Sequence, residues 1–481
     1  MQSRSMTRRG FLTLSAASAG VLTGRSLFGA PIGPNEKINL GFIGLGGRGR
    51  ELLSTFSGLP EVRIGALCDV DQQRLSEAAE KYPDALTFTD LRRVIERDDI
   101  DGVVIATCNH WHCLAAIWAC QAEKDVYVEK PLGHFIDEQR RLVEVSRLKE
   151  RIVQVGTQQR SDPMQAEIRQ FLHGEQGIGT MQHIVISRIG ERASIGKRPS
   201  PLQVPKTVNY DLWLGPAHDE PIYRKEFHYD WHWVWNTGNG EMGNWGIHVL
   251  DDVRNVALLD GVRLPSAVYS AGTRVAWNDA GETPNVQVAY FANDHVPVYM
   301  ILSNVGPAKT LSKGVAYSGV DTGYTIYAEG GELRGTRGRC SAYDKQGKRI
   351  KGFRGNSGTL HAESFLLAMQ SRDRSHLAAD VETGHLSSAW CHLASMAALE
   401  DADSAANVGE ATAAPPELWQ KLLDAYRLQV AEYDEASAAS LMREGHIVVD
   451  SDREQIKPPV SATAANLWRR AYRAKYGEQD L

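Results

Sequence analysis

Three glycines with G-x-G-x-x-G spacing follow the first long apolar run of the chain. Residues 38–49 read INLGFIGLGGRG, and a helical segment follows them. In such a turn the first glycine permits the tight bend, the second lets a pyrophosphate approach the backbone, and the third lets the helix pack on its strand. The helix N-terminus then faces the phosphate charge. We therefore expect phosphate contacts from the residues of the turn, which are Gly44, Leu45, Gly46, Gly47, Arg48 and Gly49.

An acidic residue ends the next apolar run. The segment IGALCDVD carries Asp69, about twenty residues beyond the glycines, where a carboxylate accepts hydrogen bonds from an adenosine ribose. A 2′-phosphate would meet this negative charge, so the sequence favours NAD over NADP. The glycines alone also fit a plain strand–turn–helix. The strand before them, the helix after them and Asp69 together predict dinucleotide binding.

A lysine between a short strand and a proline is the first candidate for catalysis. The predicted strand 125–128 stops at Glu129-Lys130-Pro131, and the proline restricts the backbone of Lys130. A lysine held at the carboxyl edge of a sheet can donate to a substrate oxygen, and partial desolvation makes it lose its proton more easily. The alternative is a surface lysine in a turn.

A histidine and an asparagine lie four residues apart in the segment GNGEMGNWGIHVLDD. Asn244 and His248 therefore share one face at the start of a predicted helix. An imidazole has the intrinsic pKa to exchange a proton with a hydroxyl near neutral pH. A structural histidine is the alternative. Asp252, one turn further along, is a candidate to orient the helix face or the imidazole, or a solvated carboxylate.

Aromatic residues alternate just before this segment. The run HYDWHWVW places Trp231 and Trp235 around His232, which is typical of an extended segment with tryptophans on one side. Flat rings of this kind stack on the C–H faces of sugars, although a core-facing strand remains open. Arg160 is a candidate to bind an anionic or polyhydroxylated ligand. Further cofactor contacts are expected at strand ends and in the loop after residue 106, from Thr107, Asn109, His112, Glu129, Lys130 and Gln158.

Short apolar runs alternate with helical segments up to about residue 160. Strands are predicted at 38–43, 102–106, 125–128 and 152–155, and helices at 48–57, 72–82, 91–97, 114–122 and 137–150. This alternation predicts an α/β fold with an N-terminal Rossmann domain, a doubly wound parallel sheet, over 36–160. Ligands of such sheets bind beyond the carboxyl ends of the strands.

The pattern changes after about residue 180. Strands are predicted at 181–188, 266–275, 285–291, 296–303 and 325–328, with helices at 246–259, 360–371 and 385–399. We expect an α+β C-terminal domain over 161–400, with an open, largely antiparallel sheet, and a helical C-terminal extension over 401–481 in which Trp468 and Tyr472 pack inward. An open sheet with an uncovered face often associates, so a homo-oligomer, dimer or tetramer, is expected.

Composition narrows the function further. The 481 residues have a net charge of −6, which does not suggest nucleic-acid binding, and no internal apolar run is long enough to span a membrane. Cysteine spacing predicts neither a disulfide framework nor a metal site. Residues 1–30 contain MTRRGFL and then an apolar stretch, the layout of a twin-arginine export signal to the periplasm. A basic disordered start is the alternative.

These segments together resemble the Gfo/Idh/MocA family, named after glucose–fructose oxidoreductase, inositol dehydrogenase and rhizopine catabolism. The resemblance covers about 37–399 and rests on GFIGLGGRGRE, ALCDVD, ATCNHWH, VYVEKPLG, VGTQQRS, YDLWLGPA and WHWVWNTGNGEMGNWGIH. It implies that Lys130 contacts substrate and assists proton transfer, and that His248 is the catalytic acid/base. Asn244 stands where many members carry aspartate; it cannot ionise but can hold a substrate hydroxyl. The tryptophan- and glycine-rich segment resembles exported, sugar-directed bacterial branches.

The leading hypothesis is an NAD-dependent oxidoreductase that acts on a hydroxyl of a sugar, polyol or glycoside, with Lys130 and His248 assisting. One alternative is an NAD-dependent glycoside hydrolase or lyase that uses transient oxidation with a tightly bound cofactor. Another is a non-catalytic sugar-binding protein, which the asparagine at 244 would favour.

Overall fold

Six short parallel strands form the first sheet. The computed structural model describes residues 37–175, 177–305, 319–400, 416–433, 444–458, 460–469 and 471–476. The strands are β1 (Ile38–Ile43), β2 (Val62–Cys68), β3 (Leu86–Phe88), β4 (Gly102–Ile105), β5 (Asp125–Val128) and β6 (Val153–Val155). They lie in the order β3-β2-β1-β4-β5-β6. The order reverses between β1 and β4, and a crevice opens beyond their carboxyl ends.

Helices cover both faces of this sheet, as the Rossmann prediction requires. They are α1 (Gly47–Ser57), α2 (Gln72–Lys81), α3 (Arg92–Ile95), α4 (Asn109–Gln121) and α5 (Ile136–Leu148). The sequence predicts a loop before residue 114, and this is wrong, because α4 already begins at Asn109. The side chains of this first turn are buried and form hydrogen bonds with the second domain. These tertiary contacts stabilise the turn, and the local sequence pattern does not show them.

A ten-stranded mixed sheet dominates the rest of the chain. Its strands are β7 (Met181–Ile189), β8 (Ala267–Thr273), β9 (Val286–Ala292), β10 (Val298–Ser303), β11 (Thr322–Ala328), β12 (Gly331–Thr336), β13 (Arg339–Asp344), β14 (Arg349–Arg354), β15 (Gly445–Asp450) and β16 (Gln455–Ile456). They lie in the order β14-β13-β12-β11-β7-β10-β9-β8-β15-β16. Only β7 and β10 pair in parallel, which confirms the largely antiparallel prediction.

The remaining helices are α6 (Pro163–Arg169), α7 (Tyr210–Leu214), α8 (Ile247–Val256), α9 (His361–Ser371), α10 (Val381–Leu399), α11 (Glu417–Ala431) and α12 (Ala462–Ala465). Helices α8 and α10 pack on the inner face of the large sheet, where Leu250 and Trp390 are fully buried. Helix α9 instead packs through Phe365 against the first sheet, so the chain returns to the Rossmann domain well after residue 160.

The C-terminal region is more than a helical extension. Strand β15 pairs antiparallel with β8 and enlarges the sheet, which the prediction of a helical tail misses. Helix α11 packs its buried Trp419 and Tyr426 on the outer face of β7 to β10. The covering of this face weakens the argument that an uncovered sheet drives association. Trp468 and Tyr472 pack inward as predicted.

Two sequence-based expectations concern membranes and export. Within the described residues, no helix combines the length and the apolar character that a membrane crossing needs. The predicted export signal, residues 1–30, lies outside the described residues.

Candidate active site

One cavity of about 530 Å³ lies at the carboxyl edge of the first sheet. Its wall combines the glycine turn, the ends of β4 and β5, the start of the segment before α8, and the turn between β12 and β13. Of the predicted site residues it brings together Gly44, Gly46, Gly47, Arg48, Asp69, Thr107, Asn109, His112, Glu129, Lys130, Gln158, Trp231, His232, Asn244 and His248. Leu45, Gly49, Arg160, Trp235 and Asp252 do not line it.

The glycine turn fits a dinucleotide phosphate. Gly44 has φ +87°, and a Cβ there would lie 2.6 Å from the carbonyl oxygen of Ala106. A Cβ on Gly49 would lie 1.8 Å from the carbonyl oxygen of Gly44, so α1 packs directly against the turn. At Gly47 a Cβ would meet no atom within 4 Å, which leaves space at the N-terminus of α1 for a phosphate group. The chain's own side chains do not fill this space.

Asp69 organises the turn as well as facing the cavity. Its Oδ2 accepts from the amide of Leu45 at 2.6 Å, and its Oδ1 accepts from the amide of Asp71 at 2.9 Å. The Leu45 amide is therefore committed to Asp69 and does not face the cavity, contrary to the prediction for this residue. Burial raises the pKa of Asp69, and the two amide hydrogen bonds oppose that shift.

The turn Glu129-Lys130-Pro131 is held from two sides. Arg48 Nε donates to Glu129 Oε1 at 2.6 Å, an ion pair that keeps the pKa of Glu129 low against the effect of burial. The His112 ring, from the first turn of α4, lies with Nδ1 2.7 Å from the carbonyl oxygen of Pro131 and Nε2 3.2 Å from that of Thr107. The lysine backbone is therefore fixed to both the glycine turn and α4.

The Lys130 ammonium points at the segment before α8. Its Nζ donates to the Asn244 carbonyl oxygen at 2.7 Å and to Asn244 Oδ1 at 3.0 Å. Burial lowers the pKa of Lys130 to about 8, while the carboxylates of Glu129 and Glu241 act in the opposite direction. Asn244 is held in turn, because its Nδ2 donates to Glu241 Oε2 at 3.3 Å.

His248 presents a neutral imidazole to the same cavity. The residue lies in the first turn of α8, directly after a π-helical turn over Met242–Gly246, a feature often found at functional sites. Burial lowers its pKa well below the usual value, and the Lys130 charge adds to that shift. Within the part of the chain that is described, His248 Nδ1 has no hydrogen-bond partner. Because Nδ1 is buried, proton exchange with a ligand is left to the part of the ring that lines the cavity.

The aromatic segment differs from the extended strand that the sequence predicts. Residues Asp230–Trp233 form a 3₁₀ turn, so the tryptophans do not alternate on one side. Trp231 and His232 stack at 3.6 Å between ring centroids and line the cavity. Trp235 lies away from it, and its amide donates to Glu282. The predicted substrate contact by Trp235 is wrong because this residue does not line the cavity.

Arg160 does not face the cavity as a ligand contact would, and Asp252 neither faces the cavity nor is the solvated carboxylate that the sequence left open. Arg160 is buried and its guanidinium pairs with Asp251 and Asp260, both at 2.8 Å. Asp252 accepts from the side-chain amides of Gln159 and Gln165, and burial raises its pKa well above the usual value. These groups form a buried polar network behind α8 that supports the site without facing it.

Among the residues that sequence reasoning missed, three shape the surroundings of Lys130 and His248. Glu241 is fully buried and pairs with Arg188 and Arg192 at 2.9 and 2.8 Å. Trp245 lines the cavity next to His248. Arg337 reaches the cavity from the turn between β12 and β13. The G-N-G-E-M-G-N-W segment contained a signal for the first two, whereas no local pattern marks Arg337.

This fold and site define the class of oxidoreductases with an NAD-binding Rossmann domain. The family model described as "Oxidoreductase family, NAD-binding Rossmann fold" matches residues 38–157, and that for the same family's "C-terminal alpha/beta domain" matches 194–291. The chain thus matches models of the Gfo/Idh/MocA family in both of its domains, and the predicted α/β fold with a nicotinamide-dinucleotide domain is confirmed.

Curated relatives match part of the chain. A glycosyl hydrolase family 109 protein of Solibacter usitatus is 36% identical over 164 residues, which are 30% of this chain and 37% of that protein. An α-N-acetylgalactosaminidase of Shewanella oneidensis is 35% identical over 125 residues, 24% of this chain and 27% of that protein. The chain therefore spans about a third of the length of the curated relatives it matches.

Solved structures share the fold across both domains. The WlbA dehydrogenase of Bordetella pertussis, in complex with NADH and UDP-GlcNAcA, has a TM-score of 0.54 at 16% identity, covering 73% of this chain and 94% of that one. The UDP-N-acetylglucosamine 3-dehydrogenase GnnA of Acidithiobacillus ferrooxidans has a TM-score of 0.52 at 16% identity, covering 75% and 97%. At this identity they establish the architecture alone.

Proposed function

We propose that the protein is an NAD-dependent oxidoreductase acting on a hydroxyl group of a sugar, a polyol or a glycoside. The observation that carries this proposal is the shared cavity of the glycine turn, the Lys130 ammonium and the His248 imidazole. The family and its sugar-directed relatives support the substrate class.

The two side chains divide the work on a substrate alcohol. His248 lines the cavity and burial lowers its pKa, so its neutral imidazole accepts the hydroxyl proton. Lys130 donates a hydrogen bond to the same oxygen and stabilises the developing alkoxide. Asn244, already bonded to Lys130, keeps the ammonium aimed and offers an amide to a neighbouring hydroxyl. NAD, when bound, accepts the hydride from the carbon.

The residues that would hold NAD are those of the glycine turn, Asp69 at the ribose, and the ends of β4 and β5. The open space at Gly47 and the steric requirement for glycine at positions 44 and 49 support this assignment. Asp69 favours NAD over NADP, because a 2′-phosphate would face a carboxylate.

A second candidate is a glycoside hydrolase or lyase that uses transient oxidation and a tightly bound cofactor. The names of the relatives favour it, since they are family 109 glycosyl hydrolases. We rank it second because the matched stretch covers only about a third of each relative. A non-catalytic sugar-binding protein ranks third.

One experiment orders these candidates. The purified protein is denatured, released nucleotide is identified, and products are analysed with and without added NAD. Reduction of added NAD by a sugar supports the dehydrogenase. Net glycoside cleavage with bound nucleotide and no added acceptor supports the hydrolase or lyase. The third candidate, a non-catalytic sugar-binding protein, predicts that Lys130→Ala and His248→Asn bind sugar as tightly as the unaltered protein. It also predicts that neither the variants nor the unaltered protein convert the sugar.

We also propose that the protein is exported by the twin-arginine route to the periplasm, on the strength of the MTRRGFL segment. That route carries folded proteins, so nucleotide would be loaded before export. Fractionation of cells expressing the full chain and an Arg8→Lys, Arg9→Lys variant tests this. A homo-oligomer, if it uses the large sheet, would use strands β11 to β14, because α11 covers the outer face of β7 to β10.

A further inference from the structure

Around the substrate end of the cavity, positively and negatively charged side chains form ion pairs in unequal numbers. Arg48 is matched by Glu129, and Glu241 is matched by both Arg188 and Arg192. Glu241 has two arginines to one carboxylate, so the cluster that holds Asn244 carries a net positive charge. Behind α8, Asp252 is buried and accepts from the side-chain amides of Gln159 and Gln165 rather than from an arginine.

Among the described residues, the hydrogen bonds of two further cations at this end go only to uncharged groups. Lys130 Nζ donates to Asn244. Arg337 Nε donates to Gln159 Oε1 at 3.0 Å, and its Nη2 lies 2.7 Å from the Gln158 amide once that amide is oriented to satisfy both of its groups. Among the residues that the structure describes, no carboxylate forms an ion pair with Arg337.

Arg337 is an exposed residue that also lines the cavity, beside the proposed reacting pair. Its carbon lies 5.7 Å from the centroid of the Trp245 ring, which itself contacts His248 edge-on at 5.8 Å. The turn that carries it is tied down, since the Gly355 amide donates to the Gly338 carbonyl oxygen at 3.0 Å. Because the described residues bond only Nε and Nη2 of Arg337, the side of the guanidinium that carries Nη1 is left to bind a ligand. A planar guanidinium held beside Lys130 and His248 is suited to bind a carboxylate through two parallel hydrogen bonds.

We propose that Arg337 binds a carboxylate of the substrate, so that the substrate class is an acidic sugar, a uronic acid or a glycuronide. This inference rests on the proposed function only in placing the sugar next to Lys130 and His248. The other anion that could reach this cation is the cofactor diphosphate, for which the glycine turn leaves open space at Gly47, and the effect of Arg337→Gln on NAD affinity distinguishes the two.

The test compares ligands that differ by one group. Binding of methyl glucuronide and methyl galacturonide to the NAD-loaded protein is measured by tryptophan fluorescence, beside methyl glucoside and methyl galactoside. At least one acidic sugar should bind about tenfold more tightly than its neutral counterpart. Arg337→Gln should remove about tenfold or more of that affinity while leaving neutral-sugar affinity within about threefold, and Arg337→Lys should retain part of the preference.

The matched control is Arg339→Gln, an exposed arginine in the same hairpin. It should change neither preference nor NAD affinity. The proposal is overturned if no acidic sugar binds better than its neutral partner, if Arg337→Gln weakens both alike, or if it weakens only NAD, which would assign Arg337 to the diphosphate. Tight acidic-sugar binding without turnover would instead refute the oxidoreductase proposal and leave the carboxylate site standing.

Discussion

The two ends of the cavity are built in opposite ways. The phosphate-binding part of the cofactor end comes from one continuous stretch, in which β1, the glycine turn and α1 follow each other and Asp69 ends the neighbouring strand. The substrate end is assembled from four separate places, around residues 130, 231, 244 and 337. A local motif therefore specifies the first end, whereas only the packing of the two sheets specifies the second.

This difference implies different responses to mutation. At the cofactor end the backbone itself forms the site, so steric changes should act through shape. At the substrate end side chains from separate elements converge, so changes should act through charge and proton transfer and leave nucleotide binding intact.

The largest effect is expected from His248→Asn. The substitution removes the imidazole that is proposed to accept the hydroxyl proton of the substrate. Its loss should lower kcat by about 10²- to 10⁴-fold. Nucleotide affinity, measured by fluorescence titration, should stay within about twofold if the two ends are independent. The exposed His376 provides the control variant His376→Asn. A parallel loss of NAD affinity in His248→Asn would contradict the separation of the two ends.

Gly44→Ala tests the cofactor end by steric means. The added methyl group would lie 2.6 Å from a carbonyl oxygen at φ +87°, so NAD affinity should fall at least about tenfold with a loss of about 2–3 kcal/mol in unfolding free energy. Gly347→Ala is a matched control, because Gly347 has φ +78° and open space around it. That variant should lose only about 1 kcal/mol and keep full NAD affinity. Equal losses in both variants would mean that backbone strain alone, not close approach, sets the requirement.

The pH profile probes the substrate end without mutation. The pKa of Lys130 is lowered to about 8, and the ammonium is the form that stabilises an alkoxide. Hence kcat/KM should fall as pH rises through about 8, toward a tenfold loss per unit, while the neutral His248 keeps its acceptor form well into the acid range. Lys130→Arg, which stays charged, should lose the alkaline limb. An unchanged rate up to pH 10 would show that the charged lysine is not required.

The smallest effect on chemistry is expected at the back of α8. Asp252→Asn should leave KM for the sugar unchanged within about twofold and lower the unfolding free energy by about 1–3 kcal/mol, because it disturbs hydrogen bonds to buried glutamines. Thermal denaturation and steady-state kinetics measure the two quantities. A tenfold rise in KM with unchanged stability would instead show that Asp252 contacts the substrate.

The accuracy of the sequence analysis follows the same division. The Rossmann strands and the glycine turn were predictable, because apolar runs and glycine spacing are local signals. Lys130 and His248 were singled out by type and position, and the cavity contains both. Arg160, Trp235 and Asp252 failed because polarity does not reveal whether a group faces a cavity or a buried partner. Arg337 and Glu241 were missed because their roles arise from contacts across distant segments.

The last described turn of the chain limits how the protein can move. Tyr476 packs on the rings of Trp111 and Trp118, and Arg473 donates to the carbonyl oxygen of Gly215. Trp111 borders the cavity, while Trp468, a few residues earlier, is anchored on the large sheet. A hinge motion that separated the two sheets would expose these aromatic rings to water, at a free-energy cost of about 2 kcal/mol for each ring. The C-terminal segment therefore ties the Rossmann domain to the large sheet and opposes separation of the two.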